Sequence, residues 1–153
     1  MRTIRKRLAA GRRGSAAIEF AIACPVMLTM FGGLVDFGLA YWDKGMLANA
    51  VAQGAYYAYL TGPSVSGATI QTMVQKASKL SGVSATVTGP ACYCISGSPL
   101  ALAAASCNST CGDTTTAGSF VQISATYTYS SILPLYSKLN NPTLTETTTV
   151  RLK

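Results

Sequence analysis

Arg12-Arg13-Gly14-Ser15-Ala16-Ala17-Ile18-Glu19-Phe20 opens an apolar run that continues to Val35. A single carboxylate, Glu19, stands at the start of that run, five residues after a glycine that closes a basic leader. An ionisable group inside a membrane-length apolar segment is costly, so it marks a functional position unless a partner is found for it. Between Glu19 and Asp36 lie 16 uncharged residues. At about 1.5 Å per residue they make about 24 Å of helix. That is slightly short of a hydrocarbon core of about 30 Å. Ala16 to Ile18 and Phe37 to Ala40 can extend it, and Tyr41 and Trp42 then fall where an interfacial aromatic belt belongs. Ser15 to Trp42 therefore reads as a transmembrane helix. Pro25 and Gly32-Gly33 either are tolerated inside it or let it bend.

The chain has 153 residues and a net charge of +7. Arg2, Arg5, Lys6, Arg7, Arg12 and Arg13 all precede Ser15, and no acid does. The basic balance belongs to the leader and fits a cytoplasmic flank, not a nucleic-acid-binding domain.

Beyond Trp42 the pattern continues as an amphipathic helix. Leu47, Val51, Ala55 and Ala58 recur at helical spacing, with Ala48, Ala52 and Tyr59 beside them, until Thr61-Gly62-Pro63 stops it. Tyr56, Tyr57 and Tyr59 are either packing residues or a surface for an aromatic-tolerant partner. Ile70, Met73, Val74, Ala77 and Leu80 predict a second helix with Gly82 as its C-terminal cap. The period then changes to 2. Val83, Ala85 and Val87 share one strand face, Val121 to Tyr129 at odd positions another, and Leu144, Thr148, Val150 and Leu152 a third, interrupted by Glu146. Gly89 to Gly118 reads as a long insertion. A second loop is bounded by Pro134 and Asn141-Pro142, with Leu133, Leu135 and Tyr136 as anchors. The expected fold is α+β: a long N-terminal helix and a second helix on a small antiparallel sheet of about three strands.

Cys92, Cys94, Cys107 and Cys111 cluster in the polar insertion, while Cys24 lies in the apolar run as a small packing residue. The spacings Cys-x-Cys and Cys-x₃-Cys depart from the Cys-x-x-Cys usual for zinc. An even cluster beyond a membrane segment predicts two disulfides in an oxidising compartment. Three connectivities are open, and the nested one, Cys92 with Cys111 and Cys94 with Cys107, is the expectation. Asn108-Ser109-Thr110 is a glycosylation sequon only in a glycosylating host. There is no histidine, nucleophile elbow, phosphate-binding glycine loop or close carboxylate pair. No enzyme, metal or cofactor is expected.

Gly14, four residues, then Glu19 and an aromatic, after a basic leader and before an apolar helix, resembles the processing site of type IV prepilins. It is closest to the TadE-like pseudopilins of the Flp/Tad (type IVc) branch. The resemblance covers Arg12 to about Leu60, and Asp36-Phe37-Gly38 is similar to a step those sequences often carry. It implies a pilin-like fold and a leader of residues 1–14 removed by a prepilin peptidase between Gly14 and Ser15. A membrane helix of residues 15–42 and an extracytoplasmic domain of residues 43–153 would follow. The implied role is a minor pilin or pseudopilin, with Glu19 and Phe20 in subunit assembly and Glu19 facing the Ser15 amine of a neighbour. Asp36 would meet a basic partner subunit or rest as an interfacial acid. The implied partners are other pilins, the peptidase, an inner-membrane assembly platform and the lipid bilayer. The implied place is the bacterial inner membrane with the C-terminal domain periplasmic, or a pilus outside the cell. Two other readings remain. One is a membrane-tethered domain that never enters a fibre. The other is a secreted adhesin or binding domain released by signal peptidase at Gly38-Leu39-Ala40; Glu19, Asp36 and the unbroken helical pattern through Tyr41 stand against it.

Overall fold

A computed structural model of the protein describes residues 14–97, 101–132 and 142–152. The basic residues through Arg13, together with Leu133, Pro134, Leu135, Tyr136 and Asn141, lie outside the described residues. Helix α1 spans Ser15–Thr61 without interruption, through Pro25 and Gly32-Gly33. It ends at Gly62, whose N–H bonds to the Ala58 carbonyl, and Pro63 sits in the 3₁₀ turn Gly62–Ser64 that follows. Helix α2 spans Gly67–Ser78. The expected Gly82 cap is displaced: Lys79 takes the left-handed C-cap position (φ 56°) and Gly82 lies three residues on, in the following turn. The cause is Ser78, which is fully buried. Its hydroxyl donates to the Gln75 carbonyl at 2.8 Å and accepts from the Leu80 N–H at 3.4 Å, turning the chain before Leu80 can add to the helix.

Strands β1 (Ser84–Ser96), β2 (Ala101–Ala104), β3 (Gly118–Thr128) and β4 (Thr143–Arg151) form one antiparallel sheet in the order β2-β1-β3-β4. The sheet thus has four strands, not the expected three. The extra strand and the second half of β1 lie in the segment read as a loop. Their pattern was hidden by a bulge at Gly89-Pro90, where the β1/β3 register shifts by one residue. Before the bulge Ala85 and Val87 pair with Ala125 and Ile123; after it Cys92 pairs with Ser119, so the inner face passes from odd to even positions. Gly89 (φ 107°) is required there, since a Cβ would stand 2.6 Å from the Phe120 carbonyl oxygen.

Helix α1 lies across β3 and β4, and α2 lies across β1. The core between them is Leu47, Val51, Ile70, Val74, Val121 and Ile123, all at 0–1% exposure. The buried stripe of α1 is Leu47, Ala50, Val51, Gly54 and Ala58, while Ala55 is half-buried beside it. A Cβ on Gly54 would meet Val74 Cγ2 at 2.7 Å and Ile70 Cγ2 at 3.2 Å, so Gly54 sets how closely the helices approach.

The disulfides are Cys92–Cys107 and Cys94–Cys111, with Cα separations of 5.1 and 5.6 Å. They interleave, which corrects the nested expectation. Strand β2 runs back along β1 until the Ala105 N–H bonds to the Cys92 carbonyl, and so Cys107 arrives beside Cys92. A turn then reverses the chain, with Ser109 N–H on the Ser106 carbonyl, and carries Cys111 forward to Cys94. Nesting would need the chain to continue in one direction. With all four sulfurs bonded in pairs, none is left for a zinc tetrathiolate. Asp113 closes the next turn. The Thr115 hydroxyl and N–H bond to its carboxylate at 2.6 and 3.1 Å and hold that carboxyl below its ordinary pKa.

Candidate functional site: the uncovered half of helix α1

The sheet and α2 cover only the C-terminal part of α1. From Ser15 to Trp42 the helix stands apart from the core, and Phe20, Phe31, Phe37 and Trp42 are 68, 59, 73 and 69% exposed. So much contiguous apolar surface on a soluble domain marks a membrane or protein contact. This helix is also long and apolar enough to cross a membrane.

At its N-terminal end, Gly14 occupies the N-cap with no side-chain cap, and its carbonyl accepts the Ile18 N–H at 3.2 Å. A Cβ at Gly14 would touch nothing within 4 Å. Glu19 is exposed and accepts a hydrogen bond from the Ser15 hydroxyl, 3.2 Å away and one helical turn back. Phe20 projects beside it, without cover. Cys24 is a free, half-buried thiol.

Asp36 stands differently. It lies three helical turns before Leu47 and therefore on the core-facing side of α1. Tyr129 continues the inward-facing odd positions of β3 one step past the strand end. The two meet. The Tyr129 hydroxyl lies 2.9 Å from Asp36 Oδ1 and 3.2 Å from the Asp36 carbonyl oxygen. The Ser131 hydroxyl donates to Oδ2 at 2.8 Å, and the Ile132 N–H donates to Oδ1 at 3.1 Å. Burial, then the hydrogen bond to Asp36 and its negative charge, push Tyr129 up to about 12. Both carboxylate oxygens are thus engaged by donors of the same chain, and a basic residue of a partner subunit would have to compete with them. Below this clasp, Leu28, Phe31, Gly32, Val35, Asp36 and Ile132 line a groove of about 320 Å³.

The structure therefore divides the sequence-derived residues into three places. Gly14, Ser15, Glu19 and Phe20 gather at the first turns of α1. Asp36 is about 25 Å along the helix from Glu19, on the rise per residue. The four loop cysteines lie at the Gly118 end of β3, the opposite end from Tyr129. Tyr129, Ser131 and the Ile132 N–H were not among the expected site residues. The available signal was the odd-numbered face of β3, which Tyr129 extends toward α1.

Against known proteins, the family model described as TadE-like protein matches residues 14–55. This segment is TadE-like. The match begins at Gly14 and ends within α1, before α2, the sheet and the cysteine lobe. The likeness is therefore to the N-terminal helix of TadE-like proteins, and it does not extend over the domain that follows. Together with the bare apolar helix it supports membrane anchoring. No curated protein and no solved structure matches the chain.

Proposed function

We propose that this chain is a minor pilin or pseudopilin of a Tad (Flp, type IVc) pilus assembly or secretion system, cut by a prepilin peptidase between Gly14 and Ser15. The observation that carries the reading is the uncovered half of α1, with Glu19 as its sole carboxylate before Asp36. Processing would place the Ser15 amine next to a carboxylate that needs a cation. In a bundle of such helices the Glu19 of one copy can take the amine of its neighbour, which rewards aligned subunits and penalises slipped ones. Phe20 and the apolar side chains above it would then be covered by neighbouring helices. The uncapped first turn, with no acid within it, leaves the Gly14–Ser15 bond easy to unwind into a peptidase cleft. The domain above would sit in the periplasm before assembly and outside the cell in a fibre.

The test is the N-terminal residue and intact mass of the mature protein from its native host, for wild type and for Glu19→Leu. The expected result is a chain starting at Ser15 in both, with Glu19→Leu reaching the membrane but failing to co-purify with other pilus subunits. A chain starting at Tyr41 would overturn the reading in favour of a secreted domain. Normal pili from Glu19→Leu would leave the carboxylate without an assembly role and favour a tethered domain outside any fibre.

A further inference from the structure

We infer that residues 129–132, directly after β3, are a second membrane contact: Asp36 draws them down along α1 so that Ile132 lies in the outer half of the bilayer and a lipid acyl chain fills the groove between Ile132 and α1. The inference rests on the reading of α1 as a membrane span. Its first support is depth. A hydrocarbon core of about 30 Å takes about 20 helical residues. Any such stretch built on the uncharged residues between Glu19 and Asp36 includes Leu28, Phe31 and Val35. These three side chains line the groove together with Ile132. Ile132 therefore lies at their level, inside the span, although it belongs to the domain. It is 69% exposed, as are the groove walls Leu28, Phe31 and Val35 at 65, 59 and 60%, so the surface they share is continuous with the face of the helix that meets lipid.

The second support is the chemistry of Asp36. With Glu19 at one boundary, Asp36 stands about 5 Å short of the other on the rise per residue. A carboxylate there requires donors or a cation. The chain supplies the Tyr129 hydroxyl, the Ser131 hydroxyl and the Ile132 N–H, all from the segment that also carries the exposed isoleucine. Delivering these donors and inserting Ile132 are one movement of one segment. Among the described residues the groove wall is otherwise apolar, and an acyl chain matches it without leaving a polar group of that wall unpaired.

The experiment uses the full chain in phosphatidylcholine vesicles with brominated acyl chains. The native Trp42 is replaced by Phe, and single tryptophans are placed as Ile132→Trp, Leu28→Trp and Thr145→Trp, the last on the exposed outer face of β4. Ile132→Trp is expected to emit at shorter wavelength than Thr145→Trp, and to be quenched by bromolipid several-fold more and by iodide several-fold less. Adding Asp36→Ala is expected to move Ile132→Trp toward the Thr145→Trp values, with circular dichroism and disulfides unchanged. If Leu28→Trp is quenched by bromolipid and Ile132→Trp behaves like Thr145→Trp, the span stands and the inference falls. If Ile132→Trp is shielded from both quenchers, protein covers the groove and the lipid assignment falls. If Leu28→Trp is not quenched either, the spanning reading itself falls.

Discussion

Which cysteine pairs with which is decidable by counting thiols, and the structure fixes both the count and the cost. The interleaved bridges close loops of sequence separation 15 and 17. Loops of that size restrict the unfolded chain by about 3 kcal/mol each in the chain-entropy model. Once Cys92–Cys107 is closed, the second ring runs only from Cys94 back to Cys92 and on from Cys107 to Cys111. The second bridge then contributes about 2 kcal/mol in the same model. Cys92→Ser with Cys107→Ser should therefore cost about 2 kcal/mol and leave Cys24 as the sole alkylated cysteine. Cys92→Ser with Cys111→Ser removes one partner from each bridge. It should cost about 5 kcal/mol and expose Cys94 and Cys107 to alkylation as well. The assay is alkylation without reduction, read by intact mass, alongside urea unfolding of the full chain in detergent. If Cys92→Ser with Cys111→Ser keeps one bridge at the smaller cost while Cys92→Ser with Cys107→Ser exposes two thiols, the nested pairing is correct and the chain reversal after β2 is wrong.

The long helix was legible because its signal is additive: an apolar run, then an amphipathic stretch in phase with it, then Gly-Pro. Of the core stripe, Leu47, Val51 and Ala58 were legible; Ala50 and Gly54 were not, and Ala52 and Tyr59, read as flanking it, are exposed. Gly54 was missed because glycine reads as a helix weakener, although here its missing side chain admits Val74 and Ile70. The sheet was legible wherever one face stayed apolar at every second residue. It was lost at Gly89-Pro90 because a one-residue bulge inverts the faces, so the same alternation reads as noise. The Gly82 cap failed because a buried serine competes locally with the helix, and burial is a tertiary property. Gly14, Ser15, Glu19 and Phe20 were legible as a local motif on one chain segment. The Asp36 clasp was not, since its donors lie 93 to 96 residues away. What the sequence did hold was the deficit: an acid at the end of a long apolar run that had to be met from somewhere.

Two further predictions concern the core and the clasp. Gly54→Ala should destabilise the chain by about 1–2 kcal/mol in urea unfolding, because overpacking against Val74 outweighs the helix propensity gained. Gly45→Ala, on the same helix with nothing within 4 Å of the added Cβ, should instead stabilise by up to about 1 kcal/mol; equal signs would refute the close approach at Gly54. The clasp is expected to show a pH dependence of definite sign. Tyr129 is held in its neutral form, with its pKa raised from 10.0 to about 12 by burial and by the adjacent Asp36. The folded state therefore keeps a proton that the unfolded chain gives up, so this contribution to stability is complete below about pH 10 and is lost as the pH rises through about 12. An ionised Tyr129 could no longer donate to Asp36 and would repel it. Absorbance titration of the phenolates near 295 nm should place one tyrosine of the wild type in that upper window, and Tyr129→Phe should remove that step alone. Tyr129→Phe should also flatten the decline of stability between those two pH values. A wild-type titration that retains its highest step in Tyr129→Phe would show that Tyr129 ionises normally, and the hydrogen bond to Asp36 could not then be the contact that holds the end of β3 against the helix.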